Sequence, residues 1–204
     1  GSCDRSVPLN YGLFENITVH VPKGTVLNPE FPAAVGVRHA TAIRINDAVV
    51  GCIASALPGL IPAPSGGTVV PTVIAEQNAV TGTRSVTVIQ SLVGGTGARH
   101  GGDGVDGRDS GLANLFNTPL ERSEADVSVV IETYGLRPDS GGAGRWRGGT
   151  GLEMRVRILR DGTAVLGRGL ERFVFRPWGV EGGEPGAVCR VILNHRMPGE
   201  RDLG

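Results

Sequence analysis

Two glycine-dense stretches constrain the fold of this chain more than any other feature. Residues 94–107 and residues 139–151 are both rich in glycine, and the second also carries Arg145, Trp146 and Arg147. Glycine reaches backbone angles that other residues avoid, so such runs can turn tightly and leave N–H groups pointing outward. The second stretch could hold an anion between backbone donors and arginines, or form a structural corner with the indole in the core. The sequence therefore raises the question of whether both stretches serve one purpose.

The composition narrows the class of protein. Glycine supplies 33 of 204 residues, about 16%, which is roughly twice its average share. The glycines show no fixed period, which excludes collagen and solenoid repeats. The 20 basic and 20 acidic residues balance, which argues against nucleic acid or an anionic membrane as the main partner. Three cysteines without a CxxC spacing, and no signal peptide or membrane-length apolar run, predict a cytoplasmic protein.

Apolar spacing predicts one main helix and then a series of strands. Apolar residues recur at helical spacing over residues 39–57, and Pro58-Gly59 ends the run. Gly51 inside this helix indicates close packing against a neighbour. Alternating or β-branched runs predict strands at residues 17–21, 69–75, 85–93, 125–134, 152–158, 164–166, 173–175 and 188–193.

These elements add up to a β-rich α+β fold. The turn Arg160-Asp161-Gly162-Thr163 lies between two apolar runs and predicts a hairpin that joins residues 152–158 to 164–166. No composition break, linker or internal repeat divides the chain. We therefore predict a single domain over residues 1–204, with one main helix near residues 40–57 and glycine-rich loops between strands.

Ionisable side chains are concentrated on the first glycine-rich stretch. Arg99, His100, Asp103 and Asp106 directly follow a predicted strand, where a rigid sheet can position functional groups. His100 could act as a general base. Asp103 and Asp106 could bind a metal, or could cap their own backbone in a turn. The spacing matches no calcium loop, dinucleotide fingerprint or Walker motif. Glu121 could face a substrate or lie in a solvated turn.

Several blocks of the sequence, in this order, resemble the hydantoinase B/oxoprolinase family, which includes N-methylhydantoinase B and acetone carboxylase alpha-like chains. The resemblance covers nearly the whole chain and is strongest at Asn117-Thr118-Pro119 and Leu136–Gly149. The other matching blocks are Val7–Gly12, Gly24–Pro29, Phe31–Val35, Gly94–Ala98 with Asp103-Gly104, and Pro177–Gly179 with Gly182–Gly186.

The resemblance implies part of the B-type subunit of an ATP-dependent hydrolase of cyclic amides such as 5-oxoproline, hydantoins or lactams. The alternatives are a subunit of a ketone carboxylase of the acetone or acetophenone type, and a non-catalytic scaffold that assembles such a complex. The implied partner is a hydantoinase A-like subunit with an actin-like ATPase fold, which would carry ATP and Mg²⁺. A divalent metal is possible in the N-terminal half of the family, and no cofactor is expected on this chain. Nucleic acid and membranes are not expected partners.

The resemblance also directs the choice of site residues. The expected catalytic residues are Arg99, His100 and Asp103, and the expected substrate-binding residues are Asp106, Glu121, Arg145 and Arg147. No metal ligand is predicted. Members of the family are much longer, and their His/Asp-rich segment precedes the region seen here. We therefore expect a fragment or split piece of a larger hydantoinase B-like subunit, inactive alone and completed by the remaining part of that subunit.

Overall fold

The computed structural model describes residues 11–15, 17–67, 70–78, 80–109, 115–167 and 170–203. The chain divides into two compact units, residues 1–38 and residues 39–204. Each unit is described by itself below. The prediction that residues 1–204 form one domain stays a prediction.

The smaller unit consists of turns and one short helix in its described part. A 3-10 helix covers Tyr11–Phe14. The Asn28 backbone N–H donates to the Thr25 carbonyl at 3.0 Å, which closes a tight turn. The strand predicted at residues 17–21 is wrong, because this segment is irregular. Ile17 and Val19 alternate with polar residues but are 57% and 76% exposed, and no strand of the described part of this unit pairs with them.

The larger unit combines helices with antiparallel strands, which confirms the α+β class. The main helix begins at the boundary between the units and confirms the helix predicted near residues 40–57. The described elements are α1 (Arg38–Ala56), β1 (Val70–Gln77), β2 (Arg84–Leu92), α2 (Leu120–Asp126), β3 (Val129–Leu136), β4 (Leu152–Ile158), β5 (Ala164–Gly167), a 3-10 helix (Leu170–Phe173), β6 (Ile192–Leu193) and β7 (Arg201–Asp202).

The described strands form three antiparallel sheets, with the orders β2-β1-β5, β3-β4 and β6-β7. The hydrophobic core lies where the first two sheets meet. Ile74 of β1 and Ile89 of β2 are buried together with Val127 and Val129, which come from the chain at the start of β3. Each strand alternates its side chains between two faces, and Ile74 and Ile89 lie on the faces of β1 and β2 that supply this core, whereas Val86 and Val88 of β2 are exposed.

The hairpin predicted across Arg160-Asp161-Gly162-Thr163 is wrong. Its two strands are present, but β4 pairs with β3, and β5 pairs with β1. The turn is attached to β1 through the Arg160 guanidinium, which lies 3.0 Å from the carboxylate of buried Glu76. Glu76 also accepts the Ser128 backbone N–H at 3.1 Å. Because the turn is held at β1, the chain passes from the β3-β4 sheet to the β2-β1-β5 sheet, and β5 does not pair with β4.

Three further strand predictions are corrected by the structure. Residues 125–134 begin in α2, and β3 starts only at Val129. Residues 173–175 lie at the end of a 3-10 helix and in the turn after it. The Arg172 guanidinium donates to the Phe175 carbonyl at 3.2 Å, which favours this turn over a strand. Of residues 188–193, only the last two are paired, with β7.

Helix α1 is only partly covered by its neighbours. Ile43 and Asp47 are buried, whereas Val49 and Ile53 are 54% and 39% exposed. A Cβ atom on Gly51 would lie 3.2 Å from the Trp178 ring, so the close packing predicted at this glycine is confirmed. Among the described residues, no helix is long and apolar enough to cross a membrane.

Candidate functional site

The two glycine-rich stretches lie side by side and are joined through their backbones. We call residues 94–107 the upstream loop and residues 139–151 the downstream loop. Three backbone hydrogen bonds connect them: Gly149 N–H to the Thr96 carbonyl at 2.9 Å, Gly104 N–H to the Arg147 carbonyl at 2.8 Å, and Gly107 N–H to the Thr150 carbonyl at 2.8 Å. The two loops therefore form one structural unit.

Glycine is required where the loops touch. A Cβ atom on Gly95 would lie 2.2 Å from the carbonyl carbon of Gly149. A Cβ atom on Gly104 would lie 2.4 Å from the backbone nitrogen of Gly149. Both separations are far below van der Waals contact, so any larger residue would push the two backbones apart. The high glycine content thus reflects close approach of backbone to backbone.

Asp106 and Arg147 hold the two loops together. The guanidinium donates two parallel hydrogen bonds to the carboxylate, Nη1 to Oδ1 at 2.7 Å and Nη2 to Oδ2 at 2.9 Å. Asp106 also accepts the Thr150 backbone N–H at 2.8 Å, and Asp103 accepts the Arg147 backbone N–H at 2.9 Å. Hydrogen bonds from Arg147 and Thr150 hold the pKa of Asp106 well below its usual range, and Asp106 raises the pKa of Arg147.

A cluster of an imidazole, an indole and a guanidinium lies on this joined unit. The ring centroids of His100 and Trp146 are 4.9 Å apart in an edge-to-face arrangement, with an angle of 62° between the rings. The Arg145 guanidinium carbon lies 4.8 Å from the centroid of the Trp146 ring, in a cation–π contact. Trp146 is half-buried, whereas His100 and Arg145 are exposed. We call these three residues the rim cluster.

The other predicted site residues lie outside the rim cluster. Arg99 is exposed, and its backbone exchanges two hydrogen bonds with Gly102, at 3.0 and 3.1 Å. Glu121 is exposed in the first turn of α2, and within the described part of the chain no hydrogen bond or ion pair joins it to either loop. The structure therefore brings His100 and Arg145 to the same indole, that of Trp146, and brings Asp103 and Asp106 to Arg147.

The arrangement does not fit a metal site on the upstream loop. Asp103 and Asp106 both accept hydrogen bonds from Arg147, so their oxygens are directed to donors of the downstream loop. A metal ion needs several ligands that converge on one point. Among the described residues, no group of three His, Cys, Asp or Glu side chains is placed to hold one.

Sequence reasoning missed a buried ion pair next to the loops. Arg172 and Asp47 are each 5% exposed, and the guanidinium lies 3.2 Å from the carboxylate. Arg172 also donates to the carbonyls of Ser65 at 3.2 Å and Gly66 at 3.0 Å. Asp47 lies one helical turn after buried Ile43, on the apolar face of α1, and that position was the signal in the sequence.

An open cleft of about 960 Å³ lies beside the joined loops. Trp146 and backbone of both loops line one part of it. β4, residues 177–180 and residues between 183 and 197 line much of the remainder. The cleft is large enough for a small-molecule ligand or an extended peptide. Trp146 is the member of the rim cluster that reaches it.

Proteins of known sequence and structure place this chain among relatives. It is 31% identical to the putative B-type subunit of a D-/L-hydantoinase from Pseudomonas sp. strain NS671, over 95% of this chain and 32% of that protein. It is 31% identical to the 5-oxoprolinase PfmaA from Pestalotiopsis fici, over 90% of this chain and 14% of that protein. The chain therefore spans less than a third of the length of these curated relatives.

A solved structure supports the fold. The chain resembles a nucleotide-free acetone carboxylase, described as an enzyme of ATP-dependent acetone carboxylation, with a TM-score of 0.55. The sequence identity is 20%, and the match covers 65% of this chain and 17% of that chain. The model of the hydantoinase B/oxoprolinase family matches residues 2–203, which is nearly the whole chain. This chain belongs to the hydantoinase B/oxoprolinase family.

Proposed function

We propose that the chain is part of the B-type subunit of a hydrolase that opens a cyclic amide, such as 5-oxoproline or a hydantoin, with the use of ATP. Family membership over residues 2–203 supports this proposal, as does the similarity to proteins named as the B-type subunit of a hydantoinase and as a 5-oxoprolinase. Because the chain spans less than a third of those relatives, the activity is proposed for the complete subunit with its partners.

The rim cluster is the observation on which we base the roles of particular residues. An exposed imidazole beside an indole and a guanidinium can contact a small polar ring from several directions. In this proposal His100 transfers a proton during hydrolysis, as a general acid or base. Arg145 and Arg99 contact the carboxylate of 5-oxoproline or the oxygen of the amide, which suits guanidinium donors.

Asp103, Asp106 and Arg147 have a positioning role in this proposal. Each of them makes a hydrogen bond or ion pair between the loops, at 2.7–2.9 Å. A group that acts on substrate needs free donors or acceptors, and these three have much of their capacity in use. We therefore propose that they fix the separation of the two loops, and with it the geometry of the rim cluster.

Nucleotide binding and any metal binding are assigned to polypeptide outside this chain. We propose that ATP and Mg²⁺ bind a hydantoinase A-like partner with an actin-like fold, and that any divalent metal lies in the remaining part of the B-type subunit. ATP would supply the activation of the otherwise inert amide. The complete assembly is proposed to be cytoplasmic. The hydantoinase relative is itself named as one subunit of its enzyme, which supports the need for a partner.

The substrate class is tested with the complete B-type protein and its hydantoinase A-like partner. Phosphate release is measured with 5-oxoproline, hydantoin and caprolactam, and in parallel with acetone plus bicarbonate. We expect phosphate release with at least one cyclic amide and none with acetone. An assembly that ignores every cyclic amide but carboxylates acetone would show that the ketone carboxylase alternative is correct.

A further inference from the structure

One edge of β4 has no strand partner among the described residues. β4 pairs with β3 on one side, in a two-stranded sheet. On the other side the Leu152 N–H donates to the Val93 carbonyl at 3.0 Å, just beyond the end of β2. Because backbone groups alternate along a strand, the N–H and C=O groups of Met154, Val156 and Ile158 point to this same side. No described strand continues the ladder to them.

The cleft runs along this edge. All seven residues of β4, Leu152–Ile158, line it, although neighbouring side chains of a strand point to opposite faces. An edge that is open from Met154 to Ile158 explains why both faces contribute to one cavity. Residues 186–190, which lie in no helix or strand, also line the cleft. The open edge from Met154 to Ile158 extends about 17 Å, which is enough for pairing with a short strand.

The two faces of β4 specify what could pair there. Met154 and Val156 pack against the hydrophobic core, so an added strand needs apolar side chains on that face. Arg155 lies at the centre of the other face, opposite Thr133 of β3, and is exposed. Within the described residues no ion pair involves Arg155, whereas neighbouring Arg157 pairs with Glu132 at 2.8 Å. A carboxylate on the added strand, directly opposite Arg155, would form a cross-strand charge pair with it.

We propose that the open edge of β4 is a docking site for an extended segment of a partner polypeptide. The segment adds to β3-β4 as a third strand, through backbone hydrogen bonds to Met154, Val156 and Ile158. It alternates apolar and polar residues and carries Asp or Glu opposite Arg155. This is recognition by strand addition, in which main-chain bonds supply affinity and alternate side chains supply specificity. An open edge is otherwise a site of unwanted pairing, so a specific occupant also protects it.

The test uses the 204-residue chain and labelled synthetic peptides. The probe is a fluorescein-labelled peptide of sequence Val-Thr-Val-Glu-Val-Thr-Val, and the matched peptide has lysine at the centre. Binding is measured by fluorescence anisotropy. We expect the glutamate peptide to bind at least about fivefold more tightly than the lysine peptide. Methylation of the alternate backbone nitrogens that face β4 is expected to abolish binding, because it removes the donors of the ladder.

Charge reversal on the protein gives the sharper result. Arg155→Glu is expected to invert the preference, so that the lysine peptide binds more tightly. Arg84→Glu, at the exposed start of β2, is the matched control and is expected to leave the preference unchanged. The proposal is overturned if the glutamate peptide shows no saturable binding up to about 1 mM. It is also overturned if Arg155→Glu leaves the preference as it was, or if free citrate displaces the peptide, since the cleft would then bind small anions.

Discussion

Arg147 and Asp106 lie 41 residues apart in the sequence and meet in a two-point ion pair, with nitrogen–oxygen distances of 2.7 and 2.9 Å. The same carboxylate accepts the Thr150 backbone N–H at 2.8 Å. One aspartate on the upstream loop thus binds both a side chain and the backbone of the downstream loop. The rim cluster takes one residue from the first loop and two from the second, so its geometry depends on this junction.

Replacing Arg147 by lysine tests whether the two-point geometry matters. A lysine ammonium keeps the charge but cannot donate two parallel hydrogen bonds in the plane of a carboxylate. We expect Arg147→Lys to lower the melting temperature in calorimetry. Arg122→Lys is the matched control, because exposed Arg122 pairs with Asp126 one turn further along the same helix. Equal changes in the two variants would show that charge alone joins the loops.

The ion pair should also make stability depend on pH in the acid range. The pKa of folded Asp106 lies below its ordinary value of 3.8, because Arg147 and Thr150 donate hydrogen bonds to the carboxylate. A lowered folded pKa adds stability that is complete above the unfolded pKa and is lost as the pH falls through the folded pKa. The free energy of unfolding in urea is compared for wild type and Asp106→Asn at about pH 7 and about pH 2.5.

We expect wild type to be more stable than Asp106→Asn at the higher pH, and this difference to shrink at the lower pH. Between the unfolded and the folded pKa, the unfolded carboxyl takes up a proton that the folded carboxylate does not, so part of the stability that the ion pair adds is already lost. A difference that stays constant between the two pH values would contradict the role given to the Asp106 carboxylate.

Gly95→Ala tests the close approach of the two loops. The added Cβ would lie 2.2 Å from the carbonyl carbon of Gly149, and neither backbone can move without breaking hydrogen bonds. We expect a loss of at least about 2 kcal/mol in the free energy of unfolding. Gly135→Ala is the control, because its Cβ would meet nothing within 4 Å. That control is expected to be neutral or slightly stabilising, and equal losses in both variants would contradict the packing.

Arg172→Met tests the buried ion pair. The variant leaves the Asp47 carboxylate, which is 5% exposed, without the guanidinium that lies 3.2 Å away in the wild type. Loss of one partner of a buried pair costs about 3–5 kcal/mol, and we expect the lower end because Arg44 also lies 2.9 Å from Asp47. Denaturant unfolding measures the change. Arg190→Met removes an exposed pair with Asp202 and should cost less than about 1 kcal/mol.

Local patterns in the sequence predict helices and strands well, but they do not predict which of these elements pair with each other. The bounds of β4 match the predicted 152–158, because the alternation of apolar and polar residues is complete within the strand itself. The partner of β5 was predicted wrongly, because Arg160 reaches Glu76, which lies 84 residues earlier. No local pattern encodes such a contact. Glycine density singles out both loops, but their junction depends on a contact over 41 residues.

The candidate site shows the same difference between local patterns and long-range contacts. Glycine density and loop charge pointed to Arg99, His100 and Asp103, because these residues are neighbours in the sequence. The contact of His100 with Trp146 joins two separate loops, and neither loop alone predicts it. Arg172 was missed for the same reason, since its partner Asp47 lies 125 residues earlier on α1.

The most direct test of the account measures turnover by His100→Ala in the complete B-type protein with its hydantoinase A-like partner. The rate is phosphate release with the best cyclic amide, and Arg84→Ala, at the exposed start of β2, is the control. We predict that His100→Ala loses at least about 100-fold in kcat/KM, while its melting temperature and its assembly with the partner stay as in the wild type. Unchanged turnover combined with weakened assembly would contradict a catalytic rim cluster and would show that this part of the chain is a scaffold.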